Sequence, residues 1–242
     1  MDLTERQKKI LKALIEEYIE TAEPVGSETL EKKYSLGVSP ATVRNELVVL
    51  TKRKYLRQPH TSAGRVPSAL GFRFYIDELM EEKELSVGEE VGAKEAIWDY
   101  RFEFDRLMHE VTRALAAQTR VLAVASTEDG DIYSSGYANI LDIPEFFDID
   151  VTRSVLNLLD EVKEFQSLVA RSLGEDPIHI LLGEELGERF LEPCGFVFTH
   201  FETKPNKKGT LGVIGPSRLN YSRVIPTVRY FGDLIKQTTK DW

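Results

Sequence analysis

Apolar residues recur at helical spacing close to the start of the chain. Thr4 is a suitable N-cap, and Gln7, three residues later, completes a capping box. A short second helix is predicted from Ser27 to about Tyr34, after a proline and a glycine that end the first. The apolar stripe of the first helix consists of Ile10, Leu11, Leu14, Ile15, Tyr18 and Ile19.

A third helix and a pair of short strands follow. Ser39 is a favoured N-cap residue and Pro40 suits the first helical position, so a helix begins here. Residues 55–58 are typical of a short strand, a polar turn-forming segment comes next, and Val66 begins a return strand. A further helix follows over the apolar positions of 72–79. Helix, short helix, glycine turn, helix and hairpin together predict a winged helix-turn-helix.

Beyond residue 80 the pattern changes to strands mixed with helices. Residues 81–96 are rich in glutamate, contain several glycines and show no strong periodicity. We therefore predict a linker there, between a DNA-binding domain over 1–80 and a second domain over 97–242. The second domain has five predicted strands, at 121–125, 132–137, 178–182, 195–201 and 210–214. Its predicted helices lie at 104–115, 150–172 and 221–239. This order indicates an α+β fold with a mostly antiparallel sheet.

Charge is distributed unevenly along the chain. The net charge is -9, from 31 Lys and Arg against 40 Asp and Glu. Residues 1–75 hold 13 and 9 of these, a balance of +4, and residues 39–75 hold seven basic residues against one acid, Glu46. A local basic face on an acidic protein suits contact with phosphate, because exposed charges act over about a Debye length.

Other totals narrow the class of protein. A single cysteine, Cys194, permits no disulfide within the chain. No apolar run approaches the roughly 20 residues that span a bilayer, and the first residues lack an apolar signal core. We therefore expect a cytoplasmic protein with no membrane partner. The four histidines have no metal-ligand spacing and no catalytic or dinucleotide motif is visible, so no metal, no cofactor and no enzyme activity are predicted.

The candidate DNA-binding residues lie on the third helix and in the loop between the two strands. The N-terminal residues of a recognition helix point into the major groove, where Arg pairs with guanine and Asn with adenine. A polar, basic loop suits contacts with phosphate or the minor groove, and a glycine in it lets the backbone approach closely. The predicted helix residues are Ser39, Thr42, Arg44 and Asn45. The predicted loop residues are Arg57, His60, Thr61, Ser62, Gly64 and Arg65.

Several segments resemble one known family, the heat-inducible transcription repressor HrcA. The most specific are 39–47 (SPATVRNEL), 58–67 (QPHTSAGRVP), 71–75 (GFRFY) and 209–225 (GTLGVIGPSRLNYSRVI), with shorter matches at 143–146 and 182–185. The resemblance implies a repressor of chaperone genes that binds an inverted-repeat operator, called CIRCE, as a homodimer. It further implies a GAF-like second domain and a GroEL-type chaperonin as a partner that maintains repressor activity.

The chain is shorter than typical members of this family, which exceed 300 residues. Residues 111–120 resemble the helix that opens the GAF-like domain, and residues 136–141 resemble a segment that normally follows an inserted dimerisation domain. Only one short hairpin separates the two, so the insertion is expected to be missing and the GAF-like domain to be reduced. Another surface must then hold the dimer together. The candidates are the helix over 104–115 and the terminal helix, although each also suits an ordinary core helix.

Two alternatives to the repressor stay open. The first is a winged-helix regulator whose GAF-like domain senses a small-molecule ligand, although no residue pattern names that ligand. The second is an enzyme with an accessory winged helix, which no catalytic constellation supports.

Overall fold

The computed structural model describes residues 3–171, 176–203 and 207–239. The chain divides into two compact units, a first unit of Met1–Glu81 and a second unit of Glu82–Trp242. Both units combine helices with antiparallel strands, so the α+β class predicted from the sequence is confirmed.

Helices and a small hairpin build the first unit. Its elements are α1 (Glu5–Thr21), α2 (Ser27–Lys33), α3 (Pro40–Lys52), β1 (Leu56–Arg57), β2 (Val66–Pro67) and α4 (Ala69–Phe74), which continues as one turn of π-helix over Tyr75–Leu79. The predicted capping box is present, because the Gln7 N–H donates to Thr4 Oγ1 at 3.3 Å and the Thr4 N–H donates to Gln7 Oε1 at 3.2 Å. The apolar stripe of α1 packs against fully buried side chains of the other helices, including Leu30, Val43 and Leu50.

The second unit is organised around a five-stranded antiparallel sheet. The strands are β3 (Leu122–Thr127), β4 (Ile132–Ser135), β5 (His179–Leu182), β6 (Cys194–Glu202) and β7 (Lys208–Pro216), in the order β4-β3-β7-β6-β5. The helices are α5 (Val87–Trp98), α6 (Phe104–Thr119), α7 (Tyr137–Ile140), α8 (Ile149–Asp160), α9 (Val162–Ala170) and α10 (Tyr221–Thr238). Short 3₁₀ turns lie at Pro144–Phe147, Gly183–Leu186 and Arg189–Leu191.

Helices cover both faces of this sheet. Val124, Phe196 and Ile214 belong to one apolar cluster, which residues of α8 and α9 complete on one face. The alternate strand positions are also buried, and α6 and α10 pack against them. Successive strand residues point to opposite faces, so a sheet covered on both sides has continuous apolar strands.

Two predicted segments of the second unit differ in the structure. The helix predicted over 150–172 is two helices, α8 and α9, which meet at Glu161, and Ser172 lies outside the described residues. A continuous helix over 149–170 would be about 33 Å long. With the break at Glu161, residues of both helices pack into the same apolar cluster. The strand predicted over 132–137 ends at Ser135, because Gly136, with a φ of 91°, turns the chain into α7.

The segment predicted to be a linker contains a helix. Ser86 and Glu89 form a capping box at the start of α5, and Ala93 and Ile97 are buried. Only these two positions of α5 are buried, which explains why no helical periodicity is visible in the sequence.

Candidate DNA-binding surface

Helix α3 presents one apolar face and one exposed face. Its first turn is capped by Ser39, whose Oγ accepts from the Thr42 N–H at 3.3 Å and lies 3.1 Å from the Thr42 hydroxyl. The predicted cap at Ser39 is therefore present, and both hydroxyls take part in it. The buried face carries Val43, Leu47 and Leu50. Exposed positions of the helix are Pro40, Ala41, Arg44, Asn45, Val48 and Lys52.

The one acid of this region is turned away from the exposed face. Glu46 accepts a hydrogen bond from Gln7 Nε2 at 2.9 Å and lies 3.6 Å from Arg6 Nη1, both on α1. Within the described residues, Arg44 has no ion pair and Asn45 no side-chain hydrogen bond. The exposed face of α3 therefore carries donors that are available to an external partner and no competing carboxylate.

Acids elsewhere in the first unit are also held in place. Glu17 is buried and lies 2.8 Å from Lys33 Nζ, and it accepts from the Tyr34 hydroxyl at 3.1 Å. Burial, followed by this hydrogen bond, raises the pKa of Tyr34 to about 12. Lys33 also lies 2.7 Å from Glu20. These two acids of α1 are therefore paired with a lysine of α2.

The loop between β1 and β2 is closed by a side chain that the sequence pattern did not single out. Gln58 Nε2 donates to the backbone oxygens of Thr61 and Ala63 at 2.9 and 3.0 Å. His60, Thr61 and Ser62 are exposed at the tip of this loop. The loop is thus a defined turn that presents three polar side chains. Arg57 is exposed at the end of β1.

Arg65 anchors the base of the hairpin to α3. Its Nε donates to Thr51 Oγ1 at 3.1 Å, and its Nη1 lies 3.3 Å from the carbonyl oxygens of Ala63 and Gly64. Arg65 is half-buried. The sequence predicted Arg65 as a contact with phosphate or the minor groove, and that role stays a prediction. The structure adds a second role, which is to fix the hairpin against the C-terminal half of the helix.

Gly64 is a point of close backbone approach inside the unit. A Cβ at this position would lie 2.5 Å from both the carbonyl carbon and the oxygen of Val25. The adjacent Arg65 exchanges two backbone hydrogen bonds with Val25, of 2.8 and 2.9 Å. In the structure, Gly64 therefore lies close to the segment that precedes α2. The close approach to DNA that the sequence predicted for it stays a prediction.

Sequence reasoning overlooked Val48 on the exposed face of α3. Its side chain is 38% exposed and sits one turn beyond Arg44. Apolar side chains on a recognition helix contact the methyl group of thymine. The sequence did contain a signal for this residue, because Val48 is apolar but does not share the helix face of the buried positions Val43, Leu47 and Leu50.

Two other kinds of site are absent from the part of the chain that the structure describes. No group of three or more His, Cys, Asp and Glu side chains there is arranged to hold a metal ion. No helix within the described ranges is both long and apolar enough to cross a membrane.

A family model and two relatives of this chain carry the same family name. The family model "HrcA protein C terminal domain" matches residues 72–225, more than half of the chain. A protein of Pelotomaculum thermopropionicum named "Heat-inducible transcription repressor HrcA" is 28% identical, over 98% of this chain and 97% of the relative. A protein of the same name from Desulforudis audaxviator is 30% identical, over 95% of this chain and 96% of the relative.

The same comparisons bear on length and fold. The first alignment spans 337 positions against the 242 residues of this chain, so part of the relative has no counterpart here, in agreement with the expected shortening. A crystal structure described as a hypothetical protein at 2.2 Å resolution superposes with a TM-score of 0.74 at 18% identity, covering 99% of this chain and 98% of that chain, which shows a shared fold. By its family match and its full-length relatives, this chain belongs to the HrcA family.

Proposed function

We propose that this chain is a transcription repressor of heat-shock genes that binds an inverted-repeat, CIRCE-type operator as a homodimer. In this proposal the first unit is a winged helix-turn-helix, with α3 as the recognition helix and the β1–β2 loop as the wing. The second unit is a reduced GAF-like domain. The names of the relatives, heat-inducible transcription repressors, support the repressor role. The chaperonin partner implied by the resemblance stays a prediction.

One observation carries the DNA-binding proposal. The exposed face of α3 offers Arg44 and Asn45, while the acid beside them, Glu46, is held against α1. Arg and Asn each form two hydrogen bonds with a single purine in the major groove. Such donors, on a helix braced by a hairpin that Arg65 locks in place, match the requirements for reading bases.

A gel shift with the operator and a scrambled duplex tests this proposal. The wild-type chain should prefer the operator, and Arg44→Ala should lose about 1–3 kcal/mol of discrimination at one base pair. Arg153→Ala is the matched control, because it removes another exposed arginine from the second unit. Equal affinity of the wild type for both duplexes would refute the proposal.

A cavity in the second unit favours ligand sensing as a second candidate function. It has a volume of about 750 Å³ and is lined by residues of β3, β6, β7 and α9. Ser126, Thr210 and His200 occupy neighbouring register positions across three strands, and the Thr210 hydroxyl lies 3.2 Å from His200 Nδ1. The lining also carries two positive side chains, Lys208 and Lys236, and two negative ones, Glu128 and Glu202. A small polar metabolite is the class of ligand that such a lining suits.

A thermal-shift screen against polar metabolites distinguishes this candidate from the first. A metabolite that raises the melting temperature at near-stoichiometric concentration in the wild type, but not in Thr210→Val, would establish sensing. Absence of any shift across the screen, together with operator binding by the free protein, would leave the simple repressor.

A further inference from the structure

Helix α5 carries apolar side chains on two of its faces. Ala93 and Ile97 are buried on the inner face. On another face, Val87, Val91 and Trp98 are 77%, 49% and 45% exposed. Positions 87, 91 and 98 share one side of a helix because residues four and seven apart align. Phe102, just beyond the helix, is 71% exposed. We call Val87, Val91, Trp98 and Phe102 the α5 stripe.

The inner face of α5 is firmly attached to α10. The Tyr230 hydroxyl donates to the backbone oxygen of Glu90 at 3.0 Å, and Arg223 pairs with Glu89. Just before the helix, Arg229 forms two hydrogen bonds with Glu82, of 2.5 and 2.9 Å. The exposed stripe therefore belongs to a fixed helix, and its exposure does not result from a loosely packed segment.

Two glycines lie beside the stripe in the interior of α5. Gly88 and Gly92 are four residues apart, and a Cβ at either position would meet no atom within 4 Å. Glycine in a helix interior is less stable than alanine, so no steric contact among the described residues favours glycine there. Small residues at this spacing let a second helix backbone approach closely.

We propose that the α5 stripe pairs with the α5 stripe of a second copy of this chain, with the two helices antiparallel. A two-fold axis between positions 92 and 93 sets Val87 of one copy opposite Trp98 of the other, a small side chain against a large one. The glycine edge of each helix then leaves room for the large side chains of the other. An isologous contact of this kind needs only one self-complementary patch.

The other candidate helices are already committed to the core. Leu107, Met108, Val111 and Leu115, the apolar face of α6, are fully buried. Helix α10 has eleven buried residues over its eighteen positions. These two helices, considered from the sequence as dimerisation surfaces, are thus core helices. Helix α5 instead offers an exposed apolar stripe, and it begins a few residues after the end of the first unit.

The size of the stripe predicts a weak, reversible dimer. A fully exposed aromatic side chain presents about 150–250 Å², so Trp98 and Phe102 at 45% and 71% exposure contribute roughly 230 Å² per copy. The two valines raise this to roughly 400 Å², about half of the 800 Å² that each partner buries in a standard interface. The free chain should therefore dissociate on dilution, and a two-site operator should favour the dimer.

Sedimentation of the full chain over a range of concentrations tests the pairing. The wild type should show a reversible monomer–dimer equilibrium, and Val91→Arg should raise the dissociation constant at least about tenfold, or 1.4 kcal/mol. Phe147→Glu is the matched control, because Phe147 is 70% exposed in the same unit but outside the stripe. Gly92→Ala should also weaken the dimer although it favours the helix itself, so misfolding cannot explain the loss.

Three results would overturn the inference: a wild type that stays monomeric at every concentration, a dimer that Val91→Arg leaves intact, or a dimer that Phe147→Glu disrupts. The inference rests on the proposed function only for its consequence on DNA. Val91→Arg should bind a single half-site as the wild type does and lose the tighter binding to the full operator. A wild type that binds no half-site would refute the proposed function and leave the pairing to be judged by sedimentation alone.

Discussion

Replacing Gly64 with alanine separates the two roles that this glycine can have. The new methyl carbon would lie 2.5 Å from the carbonyl carbon and oxygen of Val25. Neither of these backbone atoms can move aside without disturbing the bridge in which Arg65 and Val25 exchange hydrogen bonds of 2.8 and 2.9 Å. Gly64→Ala should therefore detach the base of the hairpin from the segment before α2.

The magnitude follows from the bonds at risk. Each backbone hydrogen bond contributes about 0.5–1.5 kcal/mol net, so loss of both costs about 1–3 kcal/mol of local stability. Native-state hydrogen exchange reads this directly at the amides of Val25 and Arg65, which should exchange about five- to 150-fold faster in the variant. Affinity for DNA should fall for operator and scrambled duplexes alike, because the loop loses its fixed position.

Gly26→Ala is the matched control, since a Cβ at Gly26 meets nothing within 4 Å and its φ is -94°. It should cost less than about 1 kcal/mol, as expected for an uncapped helix start. If the amides of Val25 and Arg65 exchange in Gly64→Ala as slowly as they do in the wild type, the steric reasoning is refuted. A loss of DNA affinity without faster exchange would instead restore the role that the sequence suggested, close approach to DNA.

Three further predictions concern other parts of the chain. Gln58→Ala removes both hydrogen bonds that close the β1–β2 loop, so loop amides should exchange faster and DNA affinity should fall without a change in base preference; an altered preference would contradict this. Cys194 is fully buried, and burial raises its pKa to about 12. A thiol reagent at about pH 8, near the ordinary pKa of a thiol, should therefore react with it only after unfolding. Fast reaction of the native protein would show that this packing is wrong. The Arg229 hydrogen bonds lower the pKa of Glu82 below its ordinary value of 4.5. The stability that they contribute to the folded state is therefore present above pH 4.5 and is lost as the pH falls through the lowered pKa. Amides of α5 should lose protection on acidification, and Glu82→Gln should make that loss smaller.

Helices with one apolar stripe and a side-chain cap were predictable from the sequence. The Thr4–Gln7 capping box and the Ser39–Pro40 helix start are both present, because caps depend on residues within one turn. The five strands were also found, with shifts of at most two residues at their ends. Local rules suffice where a segment's neighbours along the chain determine its conformation.

Helix α5 shows where this reasoning fails. Its capping box, Ser86 and Glu89, was visible in the sequence, but two glycines and apolar residues on two faces concealed the helical period. Only tertiary packing reveals which face is the inner one. The break at Glu161 has a similar origin, because the apolar stripe continues through it while the helix does not.

The residues of the candidate site differ in their contacts within the first unit, and the sequence alone could not show this difference. Arg44 and Asn45 belong to the exposed face of α3, whereas the guanidinium of Arg65 and the backbone of Gly64 hold the hairpin to the rest of the first unit. Arg44 and Arg65 are both basic residues of family-like segments, and only the contacts across the fold show that Arg65 also holds the hairpin in place. Substitutions at Gly64 and Arg65 should therefore weaken binding to every duplex in proportion to the loss of local stability. Substitutions on the face of α3 should instead change which base is preferred while the first unit keeps its stability.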